Sequence, residues 1–291
     1  MVVGKVKTRR MKARPKIIWI SVGIAFLLMI VFIIFGLSIP LTVSEVKVAS
    51  ELIEHPVRIA LISDLHSCKY AERQTELIDA ISGQNPDLVC LVGDIFDDKL
   101  SDENAELFLA GISEKYPCYY VTGNHECWAG TQAFQKKMAI LDRYGIVRLQ
   151  NENKEIELYG QKLNICGIDD PDYDFYDNQY QITDALYDVK SNLPNSNYTI
   201  LLSHRPEYYS YYTSNGFDLV LCGHAHGGQW RIPGILENGL FAPDQGLFPK
   251  YTNGKYTYEK TTMIVSRGLA KESTRVPRFY NKPEIVIIEI Q

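Results

Sequence analysis

Val57-Arg58-Ile59-Ala60-Leu61-Ile62-Ser63-Asp64-Leu65-His66 is a short apolar run that ends in a carboxylate and an imidazole two residues apart. Its first six residues are nearly continuous in apolar character, as in a strand whose sheet is covered by helices. The pattern recurs downstream. Amphipathic stretches at 72–82 and 104–113 alternate with apolar runs at 87–92 and 118–122, which reads as strand, helix, strand, helix, strand. A further helix is expected at 131–144, with Ala133, Phe134, Met138, Ile140 and Leu141 on one side and Lys136, Lys137 and Arg143 on the other. Denser strand-like runs follow at 146–149, 156–159, 163–168, 199–202, 219–222, 262–265 and 285–290. The architecture expected is α/β, with two packed sheets and helices outside. No repeat or low-complexity stretch interrupts it.

Five polar clusters sit just past the ends of apolar runs: Asp64-Leu65-His66, Gly93-Asp94, Gly123-Asn124-His125-Glu126, Ser203-His204 and Gly223-His224-Ala225-His226. Of the six histidines in the chain, only His55 lies outside them. Open α/β sheets gather ligands beyond the carboxyl ends of their strands, so these clusters should converge. One histidine on an apolar run is usually a satisfied core residue. Five clusters with the same placement point instead to a metal centre. Imidazole, carboxylate and one Asn amide suit divalent ions such as Mn²⁺, Fe²⁺ or Zn²⁺, whereas thiolates would suit structural zinc.

The order of clusters resembles the calcineurin-like metallophosphoesterase superfamily, whose signature is D-x-H, G-D-x-x-D, G-N-H-[DE], a lone H, and G-H-x-H. Here these are Asp64 and His66, Gly93 to Asp97, Gly123 to Glu126, His204, and Gly223 to His226. Glu126 stands where many members have Asp, which keeps a carboxylate. The continuation Gly227-Gly228-Gln229, with Ser266-Arg267-Gly268-Leu269 and Arg278 ahead of Pro283-Glu284-Ile285, is similar to a bacterial branch with an N-terminal membrane anchor. The resemblance implies a two-sheet metallophosphoesterase sandwich flanked by helices. It implies two divalent metals, with Asp64, His66 and His226 on the first, Asn124, His204 and His224 on the second, and Asp94 bridging them. It places His125 beside the scissile ester as the acid for the leaving oxygen. Asp97 and Glu126 would stand behind the ligands, Asp97 orienting an imidazole. The implied reaction is hydrolysis of a phosphoester, phosphodiester or pyrophosphate by a metal-bridging hydroxide.

Arg205, Arg267 and Arg278 are candidates for binding a second phosphate or a sugar acid, since guanidinium matches phosphate bidentately; salt bridges are the alternative. Cys90 and Cys222 fall in apolar runs and read as small core residues. Cys68 and Cys127 each lie two residues beyond a candidate site histidine. Thiols are expected there, with a disulfide between them as the alternative. Asn197-Tyr198-Thr199 matches a glycosylation sequon and is read as chance.

The chain begins with Lys5, Lys7, Arg9, Arg10, Lys12, Arg14 and Lys16, without an acid, followed by an uncharged apolar run over 17–39. Roughly 20 apolar residues cross a bilayer, and a basic flank marks the cytoplasmic end. The expected organisation is a cytoplasmic arm (1–16), a transmembrane anchor (17–39), a linker (40–56) and an extracytoplasmic catalytic domain (57–291). A cleaved signal peptide is the alternative, opposed by the length of the run and the lack of an A-x-A-like site. With those seven cations set aside, a net charge of -5 becomes about twelve negative for the remainder, so nucleic acid is not an expected partner. Residues 173–180 and 234–258 lack a period and are rich in aromatic, Asp, Asn, Gly and Pro residues, as in ordered functional loops.

The reading is a single-pass cell-membrane hydrolase whose tether favours lipid-linked or nucleotide-linked envelope substrates. The rivals are a non-catalytic binding module that kept the fold, a phosphoprotein phosphatase, and a nuclease. A binding module would be free to lose ligands, and none is missing. The acidic domain opposes the nuclease, and no docking insertion singles out a protein substrate.

Overall fold

The computed structural model describes residues 15–173, 181–191, 193–194, 196–271 and 276–291. The basic arm up to residue 14 and the loop expected at 173–180, apart from Tyr173, lie outside the described residues. The chain runs α1 (Pro15–Leu37), β1 (Thr42–Val48), β2 (Val57–Ile62), α2 (Thr75–Ser82), β3 (Leu88–Val92), α3 (Glu103–Ser113) and β4 (Cys118–Val121). It continues through α4 (Asn124–Trp128), α5 (Thr131–Arg143), β5 (Val147–Arg148), β6 (Glu152–Leu158), β7 (Gln161–Gly167), α6 (Ile182–Lys190), β8 (Tyr198–Leu202), α7 (Tyr209–Asn215) and β9 (Leu219–Cys222). The short hairpin strands β10 (Phe241–Ala242) and β11 (Gly246–Leu247) precede β12 (Gly254–Tyr258), β13 (Thr261–Val265) and β14 (Glu284–Ile290).

Two six-stranded sheets form, in the orders β1-β14-β2-β3-β4-β5 and β12-β13-β9-β8-β7-β6. Strands β2 to β5 are parallel, as are β7, β8, β9 and β13. Strand alternation explains the layering. In β2, Val57, Ile59 and Leu61 face Leu163, Ile165, Ile200 and Leu221 of the other sheet. Ala60 and Ile62 face outward, onto a layer that holds Leu77, Phe108, Leu109, Met138 and Leu141 of α2, α3 and α5. The second sheet does the same, with Cys166, Leu201, Val220, Cys222 and Met263 packed with Leu186, Val189 and Tyr212 of α6 and α7. Every strand of the interior is therefore apolar on both faces, which is why these runs show little alternation. Truncating an inner residue such as Leu61 to Ala would cost about 2–5 kcal/mol.

Two expectations need correction. Residues 40–56 are not merely a linker, because β1 pairs with β14 in parallel along its whole length, from Thr42 with Glu284 to Val48 with Ile290. Its half-polar sequence Thr42-Val43-Ser44-Glu45-Val46-Lys47-Val48 suits an edge strand with one wet face. Lys137 is buried rather than solvent-facing: its ammonium binds Asp102 and lies 5.3 Å from the centre of the Phe96 ring. Cys90 and Cys222 are core residues as expected, and Cys68 and Cys127 are buried thiols with no disulfide between them.

Helix α1 carries no acidic or basic residue after Lys16, and its side chains from Ile18 onward are exposed almost throughout. Among the described residues it is the one helix long and apolar enough to cross a membrane, by length and composition. A helix that is apolar all round and not covered by protein has no favourable place in water.

Candidate metal centre

All five clusters lie directly beyond strand ends, Asp64 after β2, Asp94 after β3, Asn124 after β4, His204 after β8 and His224 after β9. The two sheets are joined there by the His204 imidazole, whose Nδ1 donates to the Val92 carbonyl at 2.9 Å. That bond settles the tautomer and turns Nε2 toward Asp94 Oδ2, 3.2 Å away. Asp94 Oδ2 is also 3.5 Å from His66 Nε2, so one carboxylate lies between the two imidazoles. His226 Nε2 stands 3.8 Å from Asp64 Oδ1.

Among the described residues four trios each offer one ligating atom per residue within 4.8 Å of the others; two consist wholly of expected ligands, Asp64 with His66 and His226, and Asp94 with His204 and His224, and the others are His66 with Asp97 and His125, and Glu207 with His224 and Asp244. Asn124 Oδ1, His66 Nε2, His204 Nε2 and His226 Nδ1 are buried and have no hydrogen-bond partner among the described residues. Buried polar atoms are seldom left so, and a cluster of orphaned acceptors and imidazoles is what a bound cation satisfies. The donor set of nitrogen and oxygen with no thiolate fits a divalent ion of the Mn, Fe or Zn type.

The carboxylates around His204 favour a positive charge there, which a proton supplies when no cation does. Burial would lower His204, but Asp94, Asp64 and Asp170 more than offset it and push the imidazole up to about 10. Burial would raise the Asp94 carboxyl, yet His204, His66 and His125 hold it well below the usual range. His226, by contrast, is pushed well below its ordinary value by burial and by His66 and Arg278, which keeps it neutral as a ligand must be.

The backbone is strained where the ligands sit. Asp64, His66, Asp94, His224 and His226 have φ of 50°, 47°, 54°, 65° and 45°. Non-glycine residues in this region cost of order 1–3 kcal/mol each and persist only where the surroundings over-determine them. Glu126 supplies much of that determination on the first sheet: Oε2 accepts from the Asp94 and Gly123 amides at 2.9 and 2.8 Å, and Oε1 from the Phe96 amide at 2.9 Å. Burial and the neighbouring Asp94 push Glu126 up to about 7. Asp97 Oδ2 lies 3.2 Å from His66 Nδ1 while Oδ1 accepts from the Lys99 and Leu100 amides. Gly123 is required here because a Cβ would collide with the Asp94 carboxylate.

His125 is partly exposed, its ring 4.3 Å edge-on from His66 and 4.9 Å from the exposed Trp128. Its Nδ1 is 2.7 Å from Asp98 Oδ1, so a proton held there leaves Nε2 for a substrate. Asp98 was missed in the sequence, although it adjoins Asp97. Asp244, which sits 2.8 Å from His224 Nε2, had no local signal at all within its irregular loop.

The three arginines are engaged by internal acceptors to different degrees. Arg205 is buried among carboxylates, bidentate on Asp170 at 2.7 and 2.8 Å and 2.6 Å from Asp244. Arg267 is paired with Glu284 at 2.5 Å. Arg278 is 1% exposed and donates to the carbonyls of Ala270 and Arg267. Arg205 and Arg267 are engaged by internal carboxylates, whereas Arg278 Nη1 is buried with no hydrogen-bond partner among the described residues.

The calcineurin-like phosphoesterase family model matches residues 57–228. The chain is 26% identical over 237 residues to the uncharacterized metallophosphoesterase YkoQ of Bacillus subtilis, covering 80% of this chain and 83% of that protein. It is 28% identical over 240 residues to the phosphodiesterase YaeI of Escherichia coli, covering 81% and 82%. It is 29% identical over 263 residues to the metallophosphoesterase YkuE of Bacillus subtilis, also uncharacterized, covering 85% of each.

Proposed function

This chain belongs to the calcineurin-like phosphoesterase family and is a hydrolase acting on phosphoesters, and from that premise we propose a membrane-anchored, two-metal phosphodiesterase-like enzyme. Asp64, His66 and His226 would hold one divalent ion, and Asn124, His204 and His224 the other, with Asp94 between them. The single observation that carries two ions rather than one is that the two trios share no residue, yet adjoin where Asp94 Oδ2 lies between His66 and His204. Two divalent ions, when bound, supply Lewis acidity toward the phosphoryl oxygens and acidify water.

The chain's own residues supply the rest. His125, oriented by Asp98, carries the proton delivered to the leaving oxygen. Glu126 and Asp97 hold the Asp94 and His66 loops in their strained turns. The aromatic face of Trp128 beside His125 forms one wall for the leaving group. α1 is the anchor, and the basic arm before it sets the domain outside the cytoplasm. A tether of this kind favours a phosphodiester or pyrophosphate carried on an envelope lipid.

The test is hydrolysis of bis-p-nitrophenyl phosphate and p-nitrophenyl phosphate by the full chain in detergent micelles, stripped by chelator and reloaded with Mn²⁺, beside Asp94→Asn and His125→Ala. Metal-dependent turnover lost in both variants, with metal content kept in His125→Ala, is expected. A folded, metal-loaded protein inert on both esters and on a lipid pyrophosphate would return the binding-module reading.

A further inference from the structure

The last turns of α1 do not stand clear of the domain. The Tyr280 amide donates to the Gly36 carbonyl at 2.7 Å, and its hydroxyl donates to the Phe32 carbonyl at 2.9 Å. Phe279 covers Gly36 so closely that a Cβ there would collide with the ring, and Phe32 stacks on Phe279 and Tyr280 at 5.6 and 5.0 Å between centroids. Phe32 lies five residues inside the end of the apolar helix at Leu37, roughly 7 Å along its axis. Residues that touch it are therefore level with the interfacial zone of any bilayer that α1 spans, where Tyr and Trp concentrate.

A second apolar unit hangs on that contact. Trp230 stacks on Phe279 at 5.8 Å and donates its indole N–H to the Pro277 carbonyl at 2.9 Å. From Trp230 the chain runs into the β10–β11 hairpin, where Phe241 sits opposite Leu247. The outward side chains are Trp230, Ile235, Phe241, Leu247, Phe248 and Val276, with Ile235 81% and Phe248 71% exposed. Two acids lie among them: Glu237, exposed and 3.6 Å from Arg231, and Asp244, half-exposed and bound to His224 and Arg205. Elsewhere among the described residues of the domain, exposed large side chains such as Leu52, Leu100 and Tyr187 are scattered. A contiguous apolar patch beside an apolar helix marks a surface that is covered in use.

We propose that Trp230 to Phe248, with the segment Val276 to Tyr280, is a bilayer-contacting face that holds the mouth of the metal centre against the lipid surface. This rests on the reading of α1 as a membrane span. The occupant is a lipid bilayer because Trp230, where the patch begins, is joined through the Phe279 ring to Phe32 of α1. The patch is also stapled to the centre. The Leu240 amide donates to the Gly228 carbonyl at 2.8 Å, two residues past His226, and Asn281 Nδ2 donates to the His226 carbonyl at 2.6 Å. A phosphoester whose acyl chains stay in the membrane would thus meet the ligands without leaving it.

All six native cysteines are buried, so an introduced surface cysteine can carry a nitroxide selectively. Phe248→Cys, Ile235→Cys, Tyr187→Cys and Val22→Cys are each labelled in the full chain and reconstituted into phosphatidylcholine vesicles. Accessibility to oxygen and to a water-soluble nickel chelate is then read by power saturation. Labels at 22, 235 and 248 should show an oxygen-to-nickel ratio several-fold above the label at 187. A lipid-exposed 22 with 235 and 248 as aqueous as 187 overturns the bilayer face and leaves a protein partner as its cover. An aqueous label at 22 overturns the anchor itself, and with it this inference, whatever the activity assay returns.

Discussion

The two halves of the metal centre are built on different principles. The half on the first sheet is held through backbone amides. Glu126 gathers the Asp94, Gly123 and Phe96 amides, and the Asp64 and His66 amides donate to the Gly93 and Asp94 carbonyls. The half on the second sheet is held by a relay of side chains. His224 is backed by Asp244, which is bound to Arg205, which is clasped by Asp170; His226 is held at its carbonyl by Asn281. The first half is tied down by neighbouring strand ends and one buried carboxylate. The second depends on a loop that also carries the exposed apolar face, so its geometry is tied to whatever that face touches.

Breaking the amide clasp of the first half should have the larger effect on stability. Glu126→Ala leaves the Asp94, Gly123 and Phe96 amides buried without acceptors, and at about 1–3 kcal/mol per orphaned group the loss in urea unfolding should reach several kcal/mol. Glu126→Gln keeps an acceptor oxygen and should lose clearly less; equal losses would mean the clasp is not what holds the loop. Asp244→Asn probes the side-chain relay of the second half. It should leave the unfolding midpoint near wild type and weaken metal binding about 10–100-fold by titration, as loss of an imidazole's outer partner does. An unchanged affinity would show that His224 needs no orientation.

Acid sharpens the same contrast in the metal-free protein. Burial would raise Asp97, but its hydrogen bonds from His66 and from the Leu100 and Lys99 amides outweigh that and hold it at about 2. A carboxyl depressed below its unfolded value near 3.9 contributes stability that is complete above about pH 4 and lost as pH falls toward 2. Asp97→Asn should therefore flatten the acid limb of stability in that window while leaving the neutral-pH slope alone. The smallest effect is expected from Asn281→Ala, about 1–2 kcal/mol from the hydrogen bonds lost to the His226 and Gln229 carbonyls, read as a few-fold loss of metal affinity.

How much of this was legible in the chain follows distance along it. Period and composition are local, so the runs that became β2, β3, β4, β8 and β9 could be read directly, and the polar clusters at their ends followed because parallel strands place their carboxyl ends together. The edge strand β1 was missed because a half-wet strand paired to residues more than two hundred positions away has no continuous apolar signature. Helix α7, Tyr209–Asn215, was missed because its tyrosine-rich sequence carries no apolar period.

By itself the sequence determined which residues are chemically able to hold metal and that one segment can cross a bilayer, because ligand type, strand ends and apolar length are properties of short stretches. Only the tertiary structure decided what each charge does. Arg205 and Arg267 look like phosphate binders as residues, yet in the fold they pair with Asp170, Asp244 and Glu284, while Arg278 is bound to backbone carbonyls at two of its three nitrogens. Asp98 and Asp244 became partners of His125 and His224 for the same reason. A charge's role is set by the few ångströms around it, and those neighbours come from segments that no local pattern brings together.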